Sequence, residues 1–167
     1  MLCVIAKLSE EAREKLLHVQ NAVESFGLKK RPLYGHITLG TFVEGNEELL
    51  MERCRKALRG INPVKVCYEE ILELDETYIV VAALKRSAEL LDLQRSVVQG
   101  QEELLDRWTH SEIWQPHTTL VHEPGMELKA VRDAMQAVFE PFETVIERVD
   151  FSRVTENGYE IIGHVML

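Results

Sequence analysis

The stretch "WQPHTTLVHE", Trp114 to Glu123, decides the fold once it is set beside "YGHITLGTF", Tyr34 to Phe42. Each carries a histidine, one spacer and a threonine inside a short hydrophobic run. Runs of this kind read as strands. Along a strand, alternate side chains point to the same face. His36 and Thr38 therefore share one face, and Ile37 and Leu39 turn to the other, toward the core. His117 and Thr119 pair in the same way. By the same alternation Gly40 continues the first polar face and leaves room beside it, while His122 falls opposite His117. The motif strands are expected near residues 34–43 and 115–123.

The flanking segments repeat as well. "EELLMERCRKAL" reads as a helix with Asn46 as its cap and Gly60 past its end. "MELKAVRDAMQAVF" takes the same place after the second motif. "VKVCYEEILELD" and "YIVVAAL" then read as two strands joined by a tight turn near Asp75 to Thr77. Their counterparts, "FETVIERVDFSRV" and "YEIIGHVML", read as a second strand pair. His36 to Tyr78 and His117 to Tyr159 are both 42 residues (78 − 36 and 159 − 117). Pro63 and Pro141 open the third element of each copy. Identity between the copies is low outside H-x-T-L, so the repeat rests on element order, spacing and that motif.

Ahead of the first motif, "MLCVIAKL" reads as a strand and "SEEAREKLLHVQNAVESFG" as a helix. Ser9 can cap that helix, Glu10 and Glu11 suit its positive end, and Gly27 can close it. Between the copies one long amphipathic helix is expected from Ser87 to about Trp108. Leu90, Val97 and Leu104 recur every seven residues there, a stripe suited to seating the helix on a sheet. No linker or low-complexity segment interrupts the chain. The expectation is one pseudo-symmetric α+β domain over residues 1–167.

Composition narrows the function. The 167 residues suffice for one ordinary core. The hydrophobic share is 46% and the charged share 28%, as in soluble globular proteins. A net charge of -9 argues against a protein that coats duplex nucleic acid, which needs Lys and Arg against phosphate. It leaves room for a small pocket holding one phosphate or nucleotide. Cys3, Cys54 and Cys67 are odd in number and match no zinc spacing, so they read as reduced packing thiols. The N-terminal run lacks the marks of a secretory signal, and no stretch approaches the roughly 18 apolar residues of a bilayer span. A cytoplasmic protein without a membrane anchor is expected.

If the halves pack about a pseudo-twofold, the two His-Thr pairs can face each other across a cleft. That arrangement suits phosphoester chemistry. One neutral imidazole can take a proton from an attacking water or hydroxyl, and a protonated one can give a proton to the leaving oxygen. Two threonine hydroxyls can donate to the non-bridging phosphate oxygens. The chemistry asks for no metal or other cofactor, and no carboxylate cluster suited to holding one is evident.

"HITL" (His36 to Leu39) and "PHTTL" (Pro116 to Leu120), with Trp114 just before Pro116, resemble the tandem H-x-T motifs of the 2H phosphoesterase superfamily. Within it the chain is similar to the 2'-5' RNA ligase-like, cyclic phosphodiesterase branch, over nearly its whole length. The resemblance implies a duplicated, bilobed α+β fold: two antiparallel sheets face a central cleft, with helices packed outside. It also implies cyclic or 2'-linked phosphodiesters on RNA ends or nucleotides as substrates. By it His36 and His117 are the catalytic acid-base pair, and Thr38 and Thr119 hold the phosphate. One departure is Gly35, where a proline is common in the group.

Around this core, Tyr34 and Arg31 are candidate substrate contacts. Tyr34 would stack a base or ribose. Arg31, in "KKRP", would screen phosphate at the cleft mouth. Trp114, Tyr78 and Tyr159 are expected to pack in the structure. His164, near the end of the last strand, can reach either cleft or core. The leading function is a metal-independent phosphodiesterase with a small nucleotide or an RNA terminus as its partner. Two alternatives stand beside it: a non-catalytic module that binds a nucleotide or RNA end, and a 2'-5' RNA ligase running the reverse reaction.

Overall fold

The apolar run at the start of the chain forms β1 (Leu2–Lys7), buried over its first five residues. Ser9 then stops the strand: its Oγ accepts from the Ala12 N–H at 3.1 Å and caps α1 (Glu10–Gln20). A cap of this kind is typically worth about 1 kcal/mol. The computed structural model that gives this architecture describes residues 1–30, 32–74, 78–156 and 158–167. The expected turn over Asp75 to Thr77 lies outside them.

The other elements are β2 (His36–Phe42), α2 (Glu47–Leu58), β3 (Val64–Leu74), β4 (Ile79–Leu84) and α3 (Ala88–Val98). They are followed by β5 (His117–His122), α4 (Lys129–Val138), β6 (Phe142–Ile146), β7 (Arg148–Thr155) and β8 (Gly158–Met166). They build two four-stranded antiparallel sheets, in the orders β2-β1-β7-β8 and β5-β4-β3-β6. The α+β architecture with two antiparallel sheets is as expected. Each motif strand lies at the edge of its own sheet.

Several boundaries differ from the sequence reading. The helix expected up to Gly27 ends at Gln20, and Asn21–Phe26 winds on as a 3-10 helix. Asn21, Val23, Ser25 and Phe26 are weak α-helix formers, and Gly27, at φ +70°, closes the segment. The helix expected from Ser87 to Trp108 is half that length. Ser87 caps it, but it ends at Val98, and Gly100 adopts φ +74°, a conformation suited to glycine past a helix end. Leu104 and Leu105 lie beyond it, and Leu105 instead forms a bridge with Phe42.

"FETVIERVDFSRV" is two strands. The chain leaves β6, paired with β3, and enters β7, paired with β1, so it changes sheets at Glu147. The match of Tyr78 with Tyr159 in spacing therefore does not extend to position, because β4 lies inside its sheet and β8 at the edge of the other. The spatial correspondence runs β1-α1-β2-α2 with β4-α3-β5-α4. Each unit is followed by a strand that crosses to the other sheet: β3, directly after α2, pairs with β4, and β7, one strand later because β6 intervenes, pairs with β1.

The helices cover the faces turned from the motif histidines. Arg55 of α2 lies over the Phe151 ring of β7, and Val97 and Val98 of α3 pack at Gly40 of β2. On the second sheet, Gln136 of α4 accepts from the Ile71 N–H at 2.8 Å. Ile37, Leu39, Phe42, Val4 and Phe151 of the first sheet and Tyr68, Ile71, Val80 and Leu120 of the second belong to one continuous core, all at most 1% exposed. Among the described residues no helix is long and apolar enough to cross a membrane.

Candidate functional site

The register of the motif strands decides which residues face the site. In β2, Ile5 pairs with Thr38 and Val4 with Gly40, so Leu39 is an extra residue, a β-bulge. In β5, Val81 pairs with Thr119 and Val80 with Val121, so Leu120 is the extra residue. Both bulges fall three residues after the histidine. Up to that point the expected alternation holds: His36, Thr38, His117 and Thr119 are half-buried, and Ile37, Leu39, Thr118 and Leu120 are buried.

Beyond the bulge the faces swap, and two expectations fail. Gly40 lies on the core side, where a Cβ would meet Val98 at 3.2 Å. His122 returns to the face of His117 and Thr119, since it pairs with Ile79 as Thr119 does with Val81 and His117 with Ala83. It is exposed there.

Each bulge exposes a carbonyl that the ladder does not take, and each is met by a buried glutamine from a helix of the other half. Gln20 of α1 donates to the Leu120 carbonyl at 2.9 Å, and Gln94 of α3 donates to the Leu39 carbonyl at 3.1 Å. Both glutamines are 0% exposed. They were missed in the sequence, although each is a polar residue on an apolar helical stripe, beside Leu16 and Val19 or Leu90 and Val97.

The two sheet edges are tied together at the motifs. Tyr68 and Thr118 are 2.6 Å apart at their hydroxyls, and Thr118 Oγ1 donates to the His36 carbonyl at 2.9 Å. With the Thr118 proton so committed, the Tyr68 hydroxyl is the donor to Thr118. Trp114 Nε1 donates to the Thr38 carbonyl at 2.9 Å, and the indole is buried as expected. These bonds hold the outward carbonyls of His36 and Thr38, one on each side of Ile37.

The two imidazoles sit in different surroundings. His117 Nδ1 lies 2.7 Å from the Gln115 carbonyl, to which it donates, so its tautomer is set and Nε2 is the acceptor nitrogen of the neutral ring. Burial lowers its pKa, and the Gln115 carbonyl opposes that shift. His36 Nδ1 is buried with no hydrogen-bond partner among the described residues. Its pKa is lowered to about 4, first by burial and then by repulsion from His117. His36 lies between two tyrosine rings: Tyr34 at 5.6 Å, tilted, and Tyr159 at 5.8 Å, edge-on. Tyr34 is not on the strand itself, because Gly35 takes φ +71° and turns the chain into β2. Proline, fixed near φ −65°, has no access to that conformation, which accounts for the departure at this position. Tyr78 and Tyr159, expected to pack, are 45% and 54% exposed. Arg31 lies outside the described residues.

Tyr34 leads to a second cluster on the same face. Its hydroxyl donates to Asp150 Oδ2 at 3.1 Å, and Arg148 Nε bonds Asp150 Oδ1. Asp150 is fully buried, so these two donors hold a carboxylate removed from water. Burial and Asp150 together push the Tyr34 pKa up to about 12, keeping it a proton donor. Among the described residues no group of three or more His, Cys, Asp or Glu side chains is placed to hold a metal ion.

The architecture has counterparts among solved structures. The apo crystal structure of E. coli LigT matches with a TM-score of 0.70 at 15% identity, covering 99% of this chain and 96% of that one. E. coli LigT complexed with 3'-AMP matches with a TM-score of 0.67 at 14% identity, with coverage of 99% and 96%. Kluyveromyces marxianus Usb1 with uridine monophosphate matches with a TM-score of 0.55 at 13% identity, covering 99% and 97%. At such identities the likeness is one of fold. No curated protein matches by sequence. The sequence profile of the 2'-5' RNA ligase superfamily, however, matches residues 8–158, which takes in both histidine motifs and the strands that carry them. This chain belongs to the 2'-5' RNA ligase superfamily.

Proposed function

We propose that the protein is a phosphodiesterase that opens 2',3'-cyclic phosphates, or cleaves 2'-5' linkages, on nucleotides or RNA ends. The observation that carries this reading is the pair of half-buried histidines on bulged edge strands that meet, close enough for His117 to repel a proton from His36. Family membership and the nucleotides bound by LigT and Usb1 support a small phosphorylated substrate.

The different surroundings of the rings suggest their roles. His36, whose proton affinity is held down, is the base. It takes a proton from water as the water oxygen bonds to phosphorus. His117, steadied through Nδ1 by Gln115, is the acid. As the bond from phosphorus to the 3'-oxygen breaks, its Nε2 proton goes to that oxygen, leaving a 2'-phosphate. Thr38 and Thr119 donate to the non-bridging oxygens, where charge builds. Joining a 2'-5' linkage would use the same transfers with a 5'-hydroxyl in place of water: His36 takes its proton as its oxygen bonds to phosphorus, and His117 protonates the departing 3'-oxygen.

The test is turnover of a 2',3'-cyclic nucleotide by wild type, His36→Ala and His117→Ala. Losing a positioned acid or base should cost about 10²–10⁴-fold in kcat. A wild-type rate in either variant refutes the two-histidine mechanism. Tight binding of a product nucleotide without turnover of any cyclic or 2'-5' substrate would point to the binding module instead.

A further inference from the structure

The face of the first sheet that carries His36 continues away from the motif in ordered rows. Lys7 pairs with His36 on one side and with Arg148 on the other. Ile5 likewise joins Thr38 to Asp150, and Asp150 pairs with His164. Directly paired side chains in antiparallel strands share a face at about 5 Å. Lys7 is therefore the immediate neighbour of His36 on the site face, and Arg148 lies one strand further, roughly 10 Å from His36.

Both cations have donors to spare. Lys7 is half-buried and makes no ion pair among the described residues. Arg148 uses Nε on Asp150, and neither of its terminal nitrogens has a partner among the described residues. The guanidinium is also prearranged, because Asp150 is held in turn by Tyr34. A cavity of about 240 Å³ opens at these side chains, lined by Lys7, Arg148, Ser9, Met166, Glu10 and Glu147. At ~30 Å³ per water molecule that is ample room for a phosphate group. Two carboxylates oppose the positive charge. Glu10 is bonded to Arg13 at 3.0 Å, and Glu147 is exposed to solvent.

We propose that Lys7 and Arg148 form a second anion subsite, which takes a phosphate other than the one that reacts. The fitting ligand is a nucleotide whose reactive end lies between His36 and His117 and which carries a further phosphate on its 5' side. One ribose, with the reach of the two cationic side chains, spans the separation. An arginine fork fixed through Nε presents its remaining N–H groups to phosphate oxygens. Among the described residues the matching rows of the second sheet carry no cation: His117 runs on through Ala83 to Glu70, and Thr119 through Val81 to Leu72. The subsite rests on the reading of His36 and His117 as the reactive end, and its test separates the two.

Binding is measured by calorimetry for adenosine 3'-monophosphate, adenosine 3',5'-bisphosphate and the dinucleotide ApAp with a 3'-phosphate. The bisphosphate should bind about tenfold or more tighter than the monophosphate, an advantage that shrinks with salt. In Lys7→Met, and in Arg148→Met combined with Asp150→Asn, the two ligands should bind within about twofold of each other. The second variant removes the buried carboxylate charge with its partner; should it fail to fold, Lys7→Met decides. An equal gain for ApAp assigns the subsite to the internucleotide phosphate of an RNA end, and a gain for the bisphosphate alone assigns it to a free nucleotide. Equal affinity of wild type for mono- and bisphosphate overturns the subsite, as does an advantage that survives in Lys7→Met. Failure of the reactive-end reading shows separately, as monophosphate binding that His36→Ala and His117→Ala leave intact.

Discussion

A histidine stripped of water resists protonation, and His36 is the stronger case of the two here. Burial and the neighbouring His117 bring its pKa to about 4, whereas the Gln115 carbonyl offsets part of the burial effect on His117. A mechanism that needs His36 neutral and His117 charged then has a defined window. His36 must be above its pKa of about 4, and His117 below a value itself lowered from the ordinary histidine value of about 6.5. The profile of kcat/KM against pH should be bell-shaped with its maximum on the acid side of 6.5. A maximum above pH 7 would refute the assignment of roles. The same shift acts on stability. The unfolded chain takes up a proton at His36 that the folded protein refuses, so this contribution is present above about 6.5 and is lost as pH falls toward 4. Of this residue-scale picture, the sequence showed the His-Thr faces, because a period of two is visible in the alternation of polar and apolar residues along each motif. It did not show Asp150 or Arg148, which reach the site only because β7 is placed beside β1.

At the scale of the element, the bulge is what separates a motif strand from an ordinary one. One extra residue reverses every later side chain, and so the face of Gly40 and His122 was misread: no residue type marks a bulge. Its cost is a carbonyl without a strand partner, which Gln94 meets for Leu39 while its Oε1 accepts from Ser111 at 2.6 Å. Gln94→Glu tests this at nearly constant volume. The carboxylate cannot donate, so both carbonyls that the Gln94 amide serves, those of Leu39 and Thr109, lose their donor in a buried place, at about 1–3 kcal/mol each. Urea unfolding should register that loss. Thr38, adjacent to the bulge, should lose its setting, lowering kcat/KM about tenfold or more. Unchanged stability and rate would mean that the bulge needs no amide. The three-residue offset shared by Leu39 and Leu120 implies a matching loss in Gln20→Glu.

At the scale of the molecule, the two halves exchange strands. The hairpin of β7 and β8 from the end of the chain completes the sheet begun by β1 and β2, and β3 from the first half sits between β4 and β6. Element order was legible in the sequence because each strand and helix carries its own period and caps. Sheet membership was not, because pairing is a long-range choice. Glu147, the single residue between β6 and β7, gave no sign that the chain changes sheets there. Strand exchange has a thermodynamic consequence. Neither sheet can lose one half of the chain without exposing a full ladder of backbone groups and a buried apolar face. The Tyr68–Thr118–His36 bonds and the Trp114–Thr38 bond tie the sheets at the site as well. Unfolding should therefore be one cooperative transition. In Trp108→Phe, which removes an exposed indole, Trp114 alone reports on the sheet junction while far-UV circular dichroism reports on both sheets. The two urea curves should coincide, with one midpoint and one slope. If Trp114 fluorescence changes at lower urea than the dichroism, the sheets part before they melt, and the junction that positions the two histidines is the weakest part of the fold.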